Sequence, residues 1–284
     1  MQLSLLEILD DVDYRNQRVV IGLSGGINSA AVLAYVASQI ENKPKDLHLF
    51  YAHFSEHSTG TLDFVFDCVN YAKKHFENVT FKMTENSINE FFVEKKMIPH
   101  PMVAPCTKIL KVLPIREYMI DNKIDVDLVG YVREEKRRVK NQQKFAQQRK
   151  EYPILHLSNE DCFVLVKKEI GYYPDIYDIF WSDKRILPFL NFRKESMPKQ
   201  QFDVVMKYAM RGYGHRKTKR VFSHNNCLPC KNMQTWEYYM TMLFFPDAIE
   251  KANETADVIG SYWGRDADAF YEMGKSTSCT YCEI

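Results

Sequence analysis

The stretch Val19-Val20-Ile21-Gly22-Leu23-Ser24-Gly25-Gly26-Ile27-Asn28-Ser29-Ala30-Ala31-Val32-Leu33 joins an apolar run to a helix-compatible pattern through a small, glycine-bearing turn. Gly25 and Gly26 allow the backbone to turn tightly and leave no side chain between the main-chain N–H groups and a ligand. Ser24 and Ser29 add hydroxyls, and the helix that follows points its positive end at the turn. The combination suits phosphate or pyrophosphate. A Walker A loop is excluded, because the turn contains no lysine.

Outward from this stretch, strand-like runs recur at Val19–Leu23, Leu47–Ala52, Val79–Lys82 and Leu128–Val132. Helical spacing of apolar residues fills Ser29–Gln39, Thr61–His75 and Lys108–Asn122 between them. Alternation of this kind predicts an α/β fold, a parallel sheet with helices on both faces, over residues 1–150. Right-handed crossovers then put the strand C-termini and the Ser24–Ser29 loop on one edge. From residue 151 to 284 the pattern changes to short apolar pieces (Ile154–Leu157, Phe163–Val166, Ile186–Phe189) and helical stretches at Lys199–Arg211, Thr235–Phe245 and Pro246–Tyr262. This part is expected to be a smaller helical, cysteine-bearing region. The Met1–Asp13 segment reads as a short amphipathic helix rather than a signal peptide.

The chain has 284 residues, 45% of them hydrophobic and 26% charged, enough to bury a real core. Its 38 Lys and Arg against 37 Asp and Glu leave bulk charge silent about partners, so only local clustering is informative. No apolar run approaches the roughly 18 residues of a membrane span. Four of the seven cysteines form two Cys-x-x-Cys pairs, which points to thiols kept for metal or redox chemistry and to a cytoplasmic setting.

Several segments carry candidate chemistry. Cys106, beginning a helical pattern with Lys108 and Lys111 close behind, is a thiol placed where a helix dipole and positive charge favour the thiolate. Such a thiolate ligates metal or attacks sulfur. Arg133, after a strand, offers a planar fork for two phosphate oxygens, and Arg137 or Arg138 adds a second cation. Cys227-Leu228-Pro229-Cys230 and Cys279-Thr280-Tyr281-Cys282 together can close a four-thiolate site around zinc or an iron–sulfur cluster. The 48 residues between the pairs also allow them to serve separately. The acid-free run Arg211–Arg220, with its glycines and tyrosine, can grip a phosphate-bearing substrate or a nucleic acid backbone.

The Ser24–Ser29 loop resembles the SGGxDS signature of the PP-loop (adenine nucleotide α-hydrolase-like) superfamily. Asn28 stands where that family has aspartate, so a carboxylate that helps hold Mg²⁺ becomes a neutral amide and dependence on Mg²⁺ is left open. Pro105-Cys106-Thr107-Lys108-Ile109-Leu110-Lys111-Val112-Leu113-Pro114 resembles the Cys-Thr-x-x-x-Lys-x-x-Pro segment of phosphoadenosine phosphosulfate (PAPS) reductases and DNA phosphorothioation sulfurtransferases. Gly130–Arg138 resembles the nucleotide-facing arginine segment of the same branch, with Lys136 in its serine position. The turn after the second strand matches by position, with His53, Ser55 and His57 replacing the family's Asp, Gly and Glu.

The resemblance implies an adenine nucleotide, ATP or a PAPS-type molecule, bound by Ser24, Gly25, Gly26, Asn28, Ser29, His53, Arg133 and Arg137. It implies chemistry carried by Cys106, Lys108 and Arg133. By analogy with assimilatory reductases, Cys106, Cys227 and Cys230 with Cys279 or Cys282 ligate an iron–sulfur cluster or zinc. The activity implied is reductive sulfur transfer or adenylation. Two alternatives remain: an ATP-pyrophosphatase-type sulfurtransferase component of nucleic acid modification, and a degenerate, non-catalytic PP-loop protein with structural zinc that binds another protein.

Overall fold

The computed structural model describes residues 13–39, 41–97, 105–143, 149–196, 199–214, 220–230, 233 and 235–260. The Met1–Asp13 helix up to residue 12, residues 215–219 of the basic run, and Cys279 and Cys282 lie outside them. The chain divides into two interleaved compact units. The first comprises Met1–Tyr51, Asp63–Met83 and Ile115–Tyr173, and the second Ala52–Leu62, Thr84–Pro114 and Pro174–Ile284.

The sheet has five strands, β1 (Arg18–Leu23), β2 (Asp46–Phe54), β3 (Val79–Asn86), β4 (Val126–Leu128) and β5 (Arg149–Glu151), in the order β3-β2-β1-β4-β5. Arg18–Leu23 pairs with Asp46–Tyr51 in parallel, and β4 runs parallel to both β1 and β5. Val19, Val20 and Ile21 are successive and all at most 1% exposed, so both faces of β1 are covered, as an apolar run without alternation requires. The expected strand Leu128–Val132 lies differently. Pairing is confined to Val126–Leu128, and the chain then leaves the sheet, with the Arg133 N–H donating to the Leu157 carbonyl at 2.8 Å.

In the first unit, α1 (Ile27–Ser38) is buried almost all round and packs on α7 (Asn159–Glu169). An apolar helix without a polar face has to be enclosed in this way. Tyr118 of α5 (Leu113–Asp121) packs on His48 and Phe50, which alternate along one face of β2, and its hydroxyl lies 2.8 Å from His48 Nδ1. α2 (Thr61–His75) and α6 (Lys136–Gln143) complete the helices of the sheet region. The piece Phe163–Val166 belongs to α7, whose start carries a full capping box. Ser158 Oγ accepts the Asp161 N–H, and Asp161 accepts the Ser158 N–H.

The second unit holds α3 (Ile88–Lys95), α4 (Pro105–Thr107), α8 (Ile186–Arg193), α9 (Lys199–Gly214), α10 (Thr235–Phe244) and α11 (Pro246–Ile259). The helical run expected over Lys108–Asn122 is not uniform: Lys108–Val112 is a π-helical turn between α4 and α5. α11 packs on α3 and α10, and α8, α9 and α10 contact one another. Pro246 opens α11, where its missing N–H costs nothing, and Gly260 ends it at φ +73°.

Ser158→Ala should remove about 1 kcal/mol of stability from the first unit, the usual loss for an N-cap hydroxyl. The Ser158 hydrogen bonds hold the Asp161 carboxyl below its ordinary range. A depressed carboxylate stabilises the fold above its unfolded value, about 3.9, and that contribution is lost as pH falls through the folded value. Chemical denaturation between pH 3 and 7 should therefore show a smaller acid-side loss in Asp161→Asn than in the parent.

Candidate functional site

In the first unit the Ser24–Ser29 turn is locked by its own hydroxyls. Ser29 Oγ accepts the Ser24 N–H at 3.0 Å and donates to the Gly26 carbonyl at 3.1 Å. Ser24 Oγ accepts the Gly26 N–H at 3.2 Å and, with Ser29's proton committed, donates to Ser29 Oγ at 3.1 Å. The two serines thus shape the loop as much as they line it. Gly25 sits at φ +72°, in the left-handed region where a side chain would be strained. Gly26 caps α1 in extended backbone without a side-chain hydrogen bond, and no acid occupies the first turn. A helix start of this kind favours an anion.

Asn28 is half-buried, and its Oδ1 is enclosed with no hydrogen-bond partner among the described residues. Its main chain is pressed by the segment after β4. A Cβ on Gly130 would lie 2.9 Å from the Asn28 carbonyl oxygen and 3.3 Å from the Ser29 nitrogen. Only glycine fits there, and Gly130 brings the following residues past the loop. Arg133 and Arg137 are both exposed. Arg138 is differently engaged: it pairs with Glu135 and lies 4.5 Å from the centre of the Tyr131 ring, itself stacked on Tyr152.

The remaining described candidates belong to the second unit. His53 is half-buried, with its ring 6.2 Å from that of His57 and its carbonyl accepting from Asn86 Nδ2 at 3.1 Å. Cys106 and Cys227 are 7% and 3% exposed within one apolar cluster with Phe54, Phe91, Phe92, Tyr238 and Ile249. Cys230 is half-buried, and the Leu228–Pro229 peptide is cis. Burial pushes the Cys227 thiol up to about 12; Lys111 opposes the rise, and Cys230, Glu56 and Cys106 add to it. Lys108 is exposed, whereas Lys111 turns inward, its Nζ 4.7 Å from the Phe54 ring centre. The π-helical turn that contains both lysines resets the helical phase between them.

Two residues that sequence reasoning passed over hold this region together. Glu56, 8% exposed, accepts from Ser87 Oγ at 2.7 Å, the Ile88 N–H at 2.9 Å, and the Asn89 N–H and Nδ2 at 3.3 and 3.1 Å. Its carboxylate therefore sits at the start of α3, where negative charge is favoured. The Glu56 carbonyl also accepts the Leu228 N–H at 2.8 Å, inside the Cys227–Cys230 segment. Asn225 binds Ser58 Oγ at 2.9 Å and Thr61 Oγ1 at 2.8 Å, fixing the residues just before Cys227. The Ser87-x-x-Glu90 pattern marks the start of α3, but no local signal announces a carboxylate from 31 positions upstream.

Among the described residues, no three His, Cys, Asp or Glu side chains are grouped to hold a metal ion. Cys106, Cys227 and Cys230 share a neighbourhood, since Cys230 and Cys106 both act on the Cys227 thiol. The fourth ligand of the expected set, Cys279 or Cys282, lies outside the described residues.

A hydroxyl-locked glycine turn between a buried parallel strand and an uncapped, enclosed helix defines the first unit as a phosphate-loop α/β domain. The sequence matches the phosphoadenosine phosphosulfate reductase domain family over residues 18–180, more than half of its length, and the chain belongs to that family. No curated protein matches it. Among solved structures it is similar to the U34-tRNA thiolase NcsA of Methanococcus maripaludis with its [4Fe-4S] cluster, at 18% identity and a TM-score of 0.37. That likeness covers 57% of this chain and 60% of the thiolase chain. It is also similar to a phosphoadenylyl-sulfate (PAPS) reductase of Candida auris in a phosphate complex, at 13% identity and a TM-score of 0.40, covering 57% of this chain and 77% of the other. No helix among the described residues is long and apolar enough to cross a membrane.

Burial holds the His57 imidazole down at about 3, with the Lys111 and His53 charges pushing the same way. Lys111→Met should raise the His57 midpoint while leaving it below the free-imidazole value, because burial is the larger cause. Imidazole resonances followed by NMR between pH 3 and 7 measure this, and an unmoved midpoint would remove Lys111 from the neighbourhood of His57.

Proposed function

We propose that the chain binds an adenine nucleotide through the Ser24–Ser29 loop and performs sulfur-transfer or adenylyl chemistry on it. The observation that carries the reading is the loop itself, an uncapped helix start shaped by Ser24 and Ser29 and backed by Gly130 with no room for a side chain. Membership of the PAPS reductase domain family supports the nucleotide and the sulfur chemistry. In this reading the phosphates sit at the loop and the positive start of α1, Ser24 exchanges its bond to Ser29 for a phosphate oxygen, and Arg133 and Arg137 supply cations. Asn28 Nδ2 donates to the same anion. Its Oδ1 is one neutral oxygen, and the loop has no carboxylate, so the donor set does not fit a hard divalent ion.

With a sulfonate-bearing nucleotide, the chemistry is attack of a thiolate on sulfur. The S–S bond forms as the S–O bond breaks, and the nucleotide leaves with the electron pair on its phosphate. The Cys-Thr-x-x-x-Lys segment supports Cys106 as that thiol. Cys227, protonated at neutral pH by burial, is the weaker nucleophile.

Two expected outcomes follow from this assignment. Calorimetry with ATP and with adenylyl sulfates should show binding that is unchanged by chelating Mg²⁺ and is lost in Gly26→Val. Gly130→Ala should weaken affinity at least tenfold by displacing the Asn28 main chain, without unfolding the protein. Intact affinity in both variants would defeat the loop assignment. Cys106→Ser should retain nucleotide affinity and lose release of the nucleotide phosphate from an adenylyl sulfate, whereas Cys227→Ser should keep part of that activity. Equal turnover in Cys106→Ser and the parent would move the chemistry to another group.

A further inference from the structure

Charge is nearly balanced over the whole chain but not along it. Residues 184–220 hold 11 of the 38 Lys and Arg and only two of the 37 Asp and Glu, a net +9, so the rest carries 27 against 35, a net −8. An asymmetry of this size in one segment marks an electrostatic footprint. Within that segment the structure describes α8, the 3-10 turn Lys194–Ser196, α9, and the flanking Lys184, Arg185 and Arg220.

Several of its cations are already answered. Arg185 pairs with Asp183, and Arg220 pairs with Asp178. Arg193 lines a groove of about 420 Å³ with Glu250, Glu254 and Asp257 of α11. Lys184, Lys194, Lys199 and Lys207 form no ion pair with any described residue, although Glu195 and Asp203 lie on the same elements. Lys199 and Lys207 are exposed on α9, whose inward stripe is Val205 and Ala209.

Apolar surface accompanies these lysines. Phe192, at the end of α8, is 79% exposed, an unusual position for a phenyl ring. Val204 and Met210 are exposed on α9, on the side of Lys207. Lys194 Nζ lies 5.6 Å from the Phe202 ring centre, which links the turn after α8 to α9. Lysines without an ion pair among the described residues, with a phenyl ring left mostly exposed although the Arg193 guanidinium lies 5.9 Å from its centre, supply the two parts of a single-stranded nucleic acid platform, backbone charge and base stacking.

We propose that the α8–α9 face binds a single-stranded polynucleotide, with Lys194, Lys199 and Lys207 on phosphates and Phe192 stacked on a base. A duplex would satisfy the lysines but offer Phe192 no open base. The proposal is independent of the phosphate-loop reading, since it rests on residues of the second unit alone.

The test is fluorescence anisotropy of a labelled 20-residue oligodeoxythymidine against the full chain in 50–300 mM salt. A single strand loses affinity with a log–log salt slope of about −0.7 per phosphate contact. Lys194→Gln/Lys207→Gln should therefore make the slope shallower by about 1.4, two contacts at that value. Phe192→Ala should weaken binding roughly tenfold, within the range for one lost stacking contact, with the slope unchanged. Lys73→Gln/Lys74→Gln, which removes the same charge from exposed positions on α2, should leave affinity and slope as in the parent. Adenine nucleotide affinity should stay constant in all three variants, which separates this surface from the phosphate loop. The proposal is overturned if the parent does not bind at 50 mM salt, if the α2 pair weakens binding as much as the α8–α9 pair, if Phe192→Ala is silent, or if a 20-base-pair duplex binds as tightly as the single strand.

Discussion

The second unit hangs on the buried Glu56 carboxylate. It collects the Ser87 hydroxyl, two N–H groups at the start of α3 and the Asn89 amide, while its own carbonyl holds Leu228. A charge taken out of water is tolerated only where donors replace the lost solvation, and here four do. The loop after β2 and α3 are thereby tied through the Glu56 carboxylate, and the Cys227–Cys230 segment through the Glu56 main-chain carbonyl. Losing it would strand the Ser87, Ile88 and Asn89 donors together, at about 1–3 kcal/mol for each one buried without a partner.

The phosphate loop depends on a different constraint, a steric one. Gly130 passes so close to the Asn28 carbonyl that the space of a single methyl group is missing. The loop is thus held from outside by that contact and from inside by the Ser24 and Ser29 hydroxyls. A loop ordered in this way before anything binds spares a ligand the entropy of ordering it. The same rigidity keeps Asn28 Oδ1 enclosed, without a hydrogen-bond partner among the described residues. Changing that oxygen from amide to carboxylate would add charge at the positive end of α1, where an anion ligand would have to compete with it.

Much of the first unit was legible in the sequence because its signals are local. An apolar run, a glycine turn and an apolar helix each show within a few residues, and β1, α1 and α2 appear within a residue or two of their expected places. The β4 region was less legible. Val129–Val132 is as apolar as a strand, but nothing in its composition says that the Arg133 N–H turns away to Leu157. The inward turn of Lys111 was equally hidden, because the spacing Cys106-x-x-x-x-Lys111 gives a different facing in a π-helical turn than in a regular helix. Glu56 and Asn225 were invisible for a third reason: their partners are 31 and more than 160 residues away.

The Glu56 anchor also bears on what the thiols of the second unit can do. Anchoring the Leu228 N–H on the Glu56 carbonyl brings the Cys227 sulfur into the apolar cluster and within reach of the Glu56 charge. Both effects disfavour the thiolate, and Lys111 is the named counterweight. Structural order in the Cys-x-x-Cys segment is therefore obtained at the expense of Cys227 reactivity. Cys230 is half-buried and is not among the residues of the apolar cluster. A pair of cysteines that look equivalent in sequence is thus divided, Cys227 buried in the apolar cluster and Cys230 nearer to solvent, and burial is the largest cause of the rise at Cys227.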